Sequence, residues 1–326
     1  MADIFGVRVT PELSVIDSPI IICNGPGGQT EPAVTFAGSN YFVAWLDQAF
    51  DQRTTYIKVA RVDPQGVVLD AGISMGTGDC HPAIAFDGNY CLVVWSEDFY
   101  GLKGRLINAA CQPEGQIIAI APMVGSSTYP AIEYGNTYYL VVWSDFGPAG
   151  NLDIYGQLVS SNGQLVGDCI QIADGSQVQN HPAVDFDGNS FLVVWVEDAN
   201  LVCGRYISTD GLPMGAKFSI SENTPYERQS PSLEVGNNTG FVAWNEFHED
   251  FDVYANIDVV TGVTETIATI PTRASIMLGS QLRKYLDSGH KVYDVQGRHL
   301  LRGPIAPGIY FLEGEKKDLA KIVVIR

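Results

Sequence analysis

The sequence predicts an all-β fold. Residues 1–271 read as a five-bladed β-propeller of four-stranded antiparallel blades, and residues 272–326 as a small, sandwich-like C-terminal β-domain. Three observations predict it. A proline and a tryptophan stand 13 residues apart five times over, and successive tryptophans follow at intervals of 50, 48, 52 and 49 residues. These are all 5 tryptophans of the chain. The residues between them alternate or run apolar as strands do, and a period near 50 residues with four short strands per unit is the mark of propeller blades.

Taken in order, the inner hairpins run PAVTFAGSNYFVAW from Pro32, PAIAFDGNYCLVVW from Pro82, PAIEYGNTYYLVVW from Pro130, PAVDFDGNSFLVVW from Pro182 and PSLEVGNNTGFVAW from Pro231. Each begins with a short alternating strand. A glycine-containing turn follows, such as Asp87-Gly88-Asn89 or Asp187-Gly188-Asn189, and then a nearly continuous apolar strand ending at the tryptophan. Such a run suits a strand buried on both faces.

Between these lie outer hairpins, as in DIYGQLVSSNGQLVGDCIQI from Asp153 and LVCGRYISTDGLPMGAKFSI from Leu201, with turns at Asn162-Gly163 and Asp210-Gly211. Six outer hairpins serve five inner ones, because stretches near both Asp3 and Asp252 read as outer halves. Five-fold closure needs one of them. The surplus hairpin either packs on the outside or augments a sheet of another subunit, which would link propellers into a homo-oligomer or filament.

The repeats resemble the PAVAFDG…YLVVW…DIYGQ repeats of bacterial secreted propeller proteins over most of residues 3–270. That resemblance implies the fold and export but no activity.

After Pro271 the pattern changes. Ser275–Leu286 reads as mixed helical and irregular, and Lys291–Arg326 as three or four short strands with turns at Gln296-Gly297, Pro307-Gly308 and Glu313-Gly314. The features Tyr293-Asp294-Val295-Gln296-Gly297-Arg298, Pro307-Gly308-Ile309-Tyr310-Phe311 and the terminal apolar strand Lys321–Arg326 resemble the C-terminal sorting domain of the type IX secretion system. The resemblance implies recognition by secretion machinery and a secreted or cell-surface protein. Met1–Phe5 shows no basic or apolar leader, so an exported protein is expected to be read here in its mature form.

Composition narrows the partners. The net charge of −18 divides into −23 over the first 271 residues and +5 over the remainder. A body this acidic repels phosphate backbones, so nucleic acid is not an expected partner. No apolar run is long enough for a transmembrane helix. Six cysteines (Cys23, Cys80, Cys91, Cys111, Cys169, Cys203) lack metal-site spacing, which leaves disulfides and buried free thiols equally open.

Candidate site residues follow from the frame of the repeat. The residue before each proline varies (Glu31, His81, Tyr129, His181, Ser230), and so does the third residue after it (Thr35, Ala85, Glu133, Asp185, Glu234). Variation inside a fixed frame near the propeller axis is where a ligand would be recognised. Glu31, His81 and His181 could converge on a metal, and Glu133, Asp185 and Glu234 are carboxyl groups from three adjacent blades, the raw material of a glycosidase.

Two residues after each tryptophan stands an acid: Asp47, Glu97, Asp145, Glu197, Glu246. Repeated in every blade, this acidic ring is expected to cap turns or pair locally. The alternative is a channel mouth that binds Ca²⁺ or another divalent cation. No other cofactor is implied, and no nucleophile elbow, zinc-protease, P-loop, dinucleotide or sialidase Asp-box motif occurs. The expectation is an exported propeller acting without catalysis, as a structural, self-assembling subunit or adhesin. The alternative is a polysaccharide-binding or glycoside-cleaving propeller using the axial pocket.

Overall fold

A computed structural model describes residues 2–10, 14–16, 18–49, 54–97, 101–121, 128–147, 150–236, 239–247, 251–257, 274–278, 292–294, 308–313 and 319–325. The expected turn at Gln296-Gly297 and most of the segment 279–291 lie outside them.

Five four-stranded antiparallel sheets form the blades, as the repeat predicts. Blade 1 comprises β3 (Gln29–Ala37), β4 (Asn40–Gln48), β5 (Thr55–Val62) and β6 (Ile73–Thr77). Blade 2 comprises β7 (Cys80–Phe86), β8 (Tyr90–Glu97), β9 (Gly101–Asn108) and β10 (Pro113–Ala121). Blade 3 holds β11 (Thr128–Tyr134), β12 (Tyr138–Phe146), β13 (Leu152–Ser160) and β14 (Leu165–Ala173). Blade 4 holds β15 (Gln179–Phe186), β16 (Ser190–Glu197), β17 (Leu201–Ser208) and β18 (Pro213–Ser219). Blade 5 is built from β19 (Glu227–Gly236), β20 (Thr239–Phe247), β21 (Phe251–Ile257) and β22 (Ala274–Leu278).

The inner turns work as their sequence dictates. Asp87 Oδ1 accepts the backbone N–H groups of Asn89 (2.8 Å) and Tyr90 (2.7 Å), and Asp187 does the same for Asn189 and Ser190. Gly88 and Gly188 supply the positive φ between them, at 100° and 96°.

Each seam joins two different faces. One blade presents small and branched side chains, and the next presents its tryptophan and the aliphatics around it. Ala44, Leu46, Ile57 and Val59 of blade 1 meet Ile84, Val93 and Trp95 of blade 2. The seams of blades 2/3, 3/4 and 4/5 repeat this with Trp143, Trp195 and Trp244. Packing is close enough that a Cβ on Gly135 of blade 3 would stand 2.2 Å from the Phe191 ring of blade 4, which explains why that turn carries no side chain.

The surplus hairpin has a definite place. Strands β1 (Ile4–Gly6) and β2 (Ile20–Cys23) form a separate two-stranded sheet whose Ile4, Ile22 and Cys23 cover Val43, Trp45, Ala60 and Val62 of blade 1. It stands where the outer half of a preceding blade would stand. The inner half of that blade-1 face stays open: Val34 is 62%, Phe36 48% and Tyr41 40% exposed.

Residues 275–278, expected to be helical or irregular, are strand in β22. That strand pairs with β21 at Tyr254↔Ser275 and in parallel with β25 (Leu319–Ile325). Strands β24 (Gly308–Glu313) and β23 (Val292–Asp294) continue the same sheet, so the described C-terminal strands are hydrogen-bonded through β22 to blade 5. All six cysteines are free, and burial pushes the Cys91, Cys111 and Cys203 thiols up to about 12. No helix of the described residues is long and apolar enough to cross a membrane.

Candidate functional site: the axial mouth

The innermost strand of every blade carries the same irregularity. Its pairing with the second strand shifts register just before the proline, between Thr30 and Ala33 in blade 1 and at the corresponding places in the others. Proline has no N–H for the ladder, which confines it to an edge or a bulge. The residue before it takes up the distortion. Glu31, His81, Tyr129, His181 and Ser230 all have left-handed backbones, with φ of 56°, 51°, 53°, 52° and 49°. For residues other than glycine such a backbone costs on the order of 1–3 kcal/mol each. Glycine would relieve it at every position, yet no blade uses glycine.

These bulges bring the five variable residues and their prolines around one axial cavity of about 350 Å³. Three of the side chains form a stack. The His81 and Tyr129 ring centroids are 4.4 Å apart at 29°, and those of Tyr129 and His181 are 4.0 Å apart at 40°. Glu31 closes one end, where its Oε2 accepts the backbone N–H of His81 and lies 3.3 Å from His81 Nδ1. His181 holds its proton less firmly than an ordinary histidine, because of burial first and the neighbouring His81 second. Its Nδ1 is buried without a hydrogen-bond partner. Tyr129 lies between the two imidazoles. Among the described residues no group of three or more His, Cys, Asp or Glu is arranged to hold a metal ion.

A second layer lies three residues further along each inner strand, roughly 10 Å deeper at about 3.3 Å per residue. Glu133, Asp185 and Glu234 come from consecutive blades and feel one another's charge. Burial pushes the Glu133 carboxyl up to about 7, assisted by Asp185 and Glu234 and opposed by the N–H of Tyr134. Burial also raises Asp185 and Glu234, and the charge of Asp185 adds to the rise at Glu234. Asp185 has a structural task as well, accepting the backbone N–H groups of Phe186 and, across the seam, Val235. Thr35 and Ala85 hold the other two positions of the layer.

The acidic ring surrounds the mouth one strand further out and is engaged locally. Asp47 pairs with Lys58 at 3.3 Å, Glu97 with Lys103, Glu197 with Lys217, and Glu246 with Arg228 at 2.6 Å. Asp145 accepts the backbone N–H of Phe146 at 2.7 Å. Asp47 and Glu246 also lie within 3.5 and 3.4 Å of their own blade's tryptophan Nε1. Sequence reading missed Arg228. It is buried, stacked 5.5 Å from the Trp244 ring, and stands where blades 1 and 4 have Gln29 and Gln179.

The fold and the mouth together define a five-bladed β-propeller with an axial cavity. Several solved structures are similar to it. One is a thermostable family-43 glycoside hydrolase, at 14% identity over 76% of this chain and 97% of the other, with a TM-score of 0.44. Another is an α-L-arabinofuranosidase from Lactobacillus brevis, at 11% identity over 72% and 94%, also at 0.44. A third is a Bacteroides ovatus protein described as xyloglucan PUL GH43B, at 13% identity and 0.42, covering 58% of this chain. The chain spans 41% of that protein's length. No protein-family model matches the chain, and no curated protein matches it in sequence.

Proposed function

We propose that the protein is a saccharide-binding propeller whose ligand enters the axial mouth. The observation that carries this reading is the ordered row Glu31–His81–Tyr129–His181, set on strained backbones around a cavity of about 350 Å³. A cavity of that size is within the range of small-ligand sites. Because the rings stack on one another, they offer the ligand their polar edges. Imidazole nitrogens, a phenol hydroxyl and a carboxyl group suit the hydroxyls of a sugar, and the five prolines supply apolar rims for its C–H faces. Calorimetric titration with arabinan, xylan and glucan oligomers tests the reading. Saturable binding that is lost in Tyr129→Ala supports it, and absence of binding to any saccharide overturns it.

A second reading, cleavage of the bound saccharide, is favoured by the deeper layer. A carboxyl group titrating near 7 beside two further carboxyl groups has the properties of a general acid with a partner base. Released reducing ends that vanish in Glu133→Gln would establish it.

The expected place of action is the cell exterior, on the strength of the sorting-like tail and the repeat resemblance. A structural or adhesive, self-assembling role is favoured separately by the apolar N-terminal hairpin. Secretion of a tail-bearing reporter, against one ending at residue 271, tests the location.

A further inference from the structure

The repeat makes it possible to say what should cover any given surface, because equivalent positions in the other blades are covered. The third strand shows this on the side facing the following blade. Ile57, Leu102, Ile154 and Val202 of blades 1–4 are each 0% exposed, and Ile4 of the N-terminal hairpin is 2% exposed beneath blade 1. The equivalent Val253 of blade 5 is 53% exposed. The side facing the preceding blade tells the same story at the other end. Ala60 and Val62 of blade 1 are buried by the hairpin, whereas Phe5 and Val7 in the hairpin itself are 52% and 47% exposed, and Ile21 is 52% exposed. The recess beside them, floored by Val34, Phe36 and Tyr41, belongs to the same end.

Nine of the twenty large apolar side chains exposed among the described residues therefore fall within the first 41 residues, in one region rather than scattered. Apolar surface gathered in this way marks an interface. The four internal seams specify its chemistry: an aliphatic following face against the preceding-facing side of the next unit. Within one chain both faces remain open to solvent.

We propose that these two ends are the complementary halves of one further seam, made between copies of the chain. The following face of blade 5, centred on Val253, docks on the hairpin face of Phe5, Val7 and Ile21 of a second copy. The contact is head to tail. Each copy keeps one free donor and one free acceptor, and the series grows until its geometry closes a ring. The proposal rests on the assembly reading and not on the axial mouth, so its failure leaves saccharide binding untouched.

Light scattering across a concentration series tests it. The full chain is expected to grow from 35.3 kDa through integral multiples as concentration rises. Phe5→Asp and Val253→Asp each remove one half of the seam, and both sites are exposed, so circular dichroism and tryptophan fluorescence should be unchanged. Each variant alone is expected to be monomeric. Mixed in equal amounts they should form a species of two chains and nothing larger, since one intact acceptor meets one intact donor. A full chain that stays at one chain's mass throughout, a single variant that still assembles, or a mixture that stays monomeric would each overturn the proposal.

Discussion

Glu31 and His81 are joined twice across the seam of blades 1 and 2: one carboxyl oxygen takes the His81 backbone N–H and lies 3.3 Å from Nδ1 of the same residue. A left-handed backbone at each of the two positions is thus secured by a contact between them. Glu31→Ala removes the anchor of the whole stack. Saccharide affinity is expected to fall about tenfold, some 1.4 kcal/mol, with little change in the unfolding midpoint. Glu31→Gln, which retains an acceptor, should recover most of it. Titration calorimetry on both variants checks this.

Burial raises the Glu133 carboxyl from 4.5 to about 7, which has a consequence for stability. An acid whose folded value lies above its unfolded value favours folding where it is protonated in both states. That contribution is whole below pH 4.5 and is lost as pH rises through about 7. Urea unfolding of the natural chain and of Glu133→Gln should therefore diverge. The variant is expected to gain relative stability from about pH 5 to about pH 8. If the two chains show parallel pH profiles, Glu133 is not held in its protonated form by the fold.

The buried ion pair of blade 5 differs from the partly exposed pairs of the other blades. Arg228 and Glu246 side chains are each 3% exposed, whereas Lys217 is 39% exposed beside Glu197. Glu246→Gln leaves a buried guanidinium without its counter-charge and should cost about 3–5 kcal/mol. Lys217→Ala should cost less than about 1 kcal/mol. Chemical denaturation measures both.

Position within the repeat does not by itself set the importance of a side chain. Tyr41 and Phe191 occupy equivalent places in blades 1 and 4, yet they are 40% and 0% exposed. Phe191→Ala is expected to cost about 3–5 kcal/mol and Tyr41→Ala no more than about 0.5 kcal/mol. Equal losses would mean that blade 1 is covered in solution.

Much of the architecture was legible in advance because period and pattern are properties of a chain. A proline 13 residues before each tryptophan set the length of every inner hairpin, and Asp-Gly-Asn set its turn. The five pre-proline residues could also be singled out as variable in a constant frame. The strand at 274–278 was missed because parallel pairing with β25 is a long-range partnership, and local composition does not record it.

The sequence alone determined the number of blades, their strand order and which residues would lie near the axis, since alternation and spacing follow from local geometry. Only the tertiary structure decided what those residues do there. It turned each pre-proline backbone left-handed, placed Tyr129 between two imidazoles, and gathered three carboxyl groups that lie about 50 residues apart in the chain. It also engaged the acids of the outer ring within their own blades and left the two ends of the stack bare. Those outcomes depend on which side chains meet across a seam, and that is settled by burial and by the charge of neighbours brought in from distant sequence.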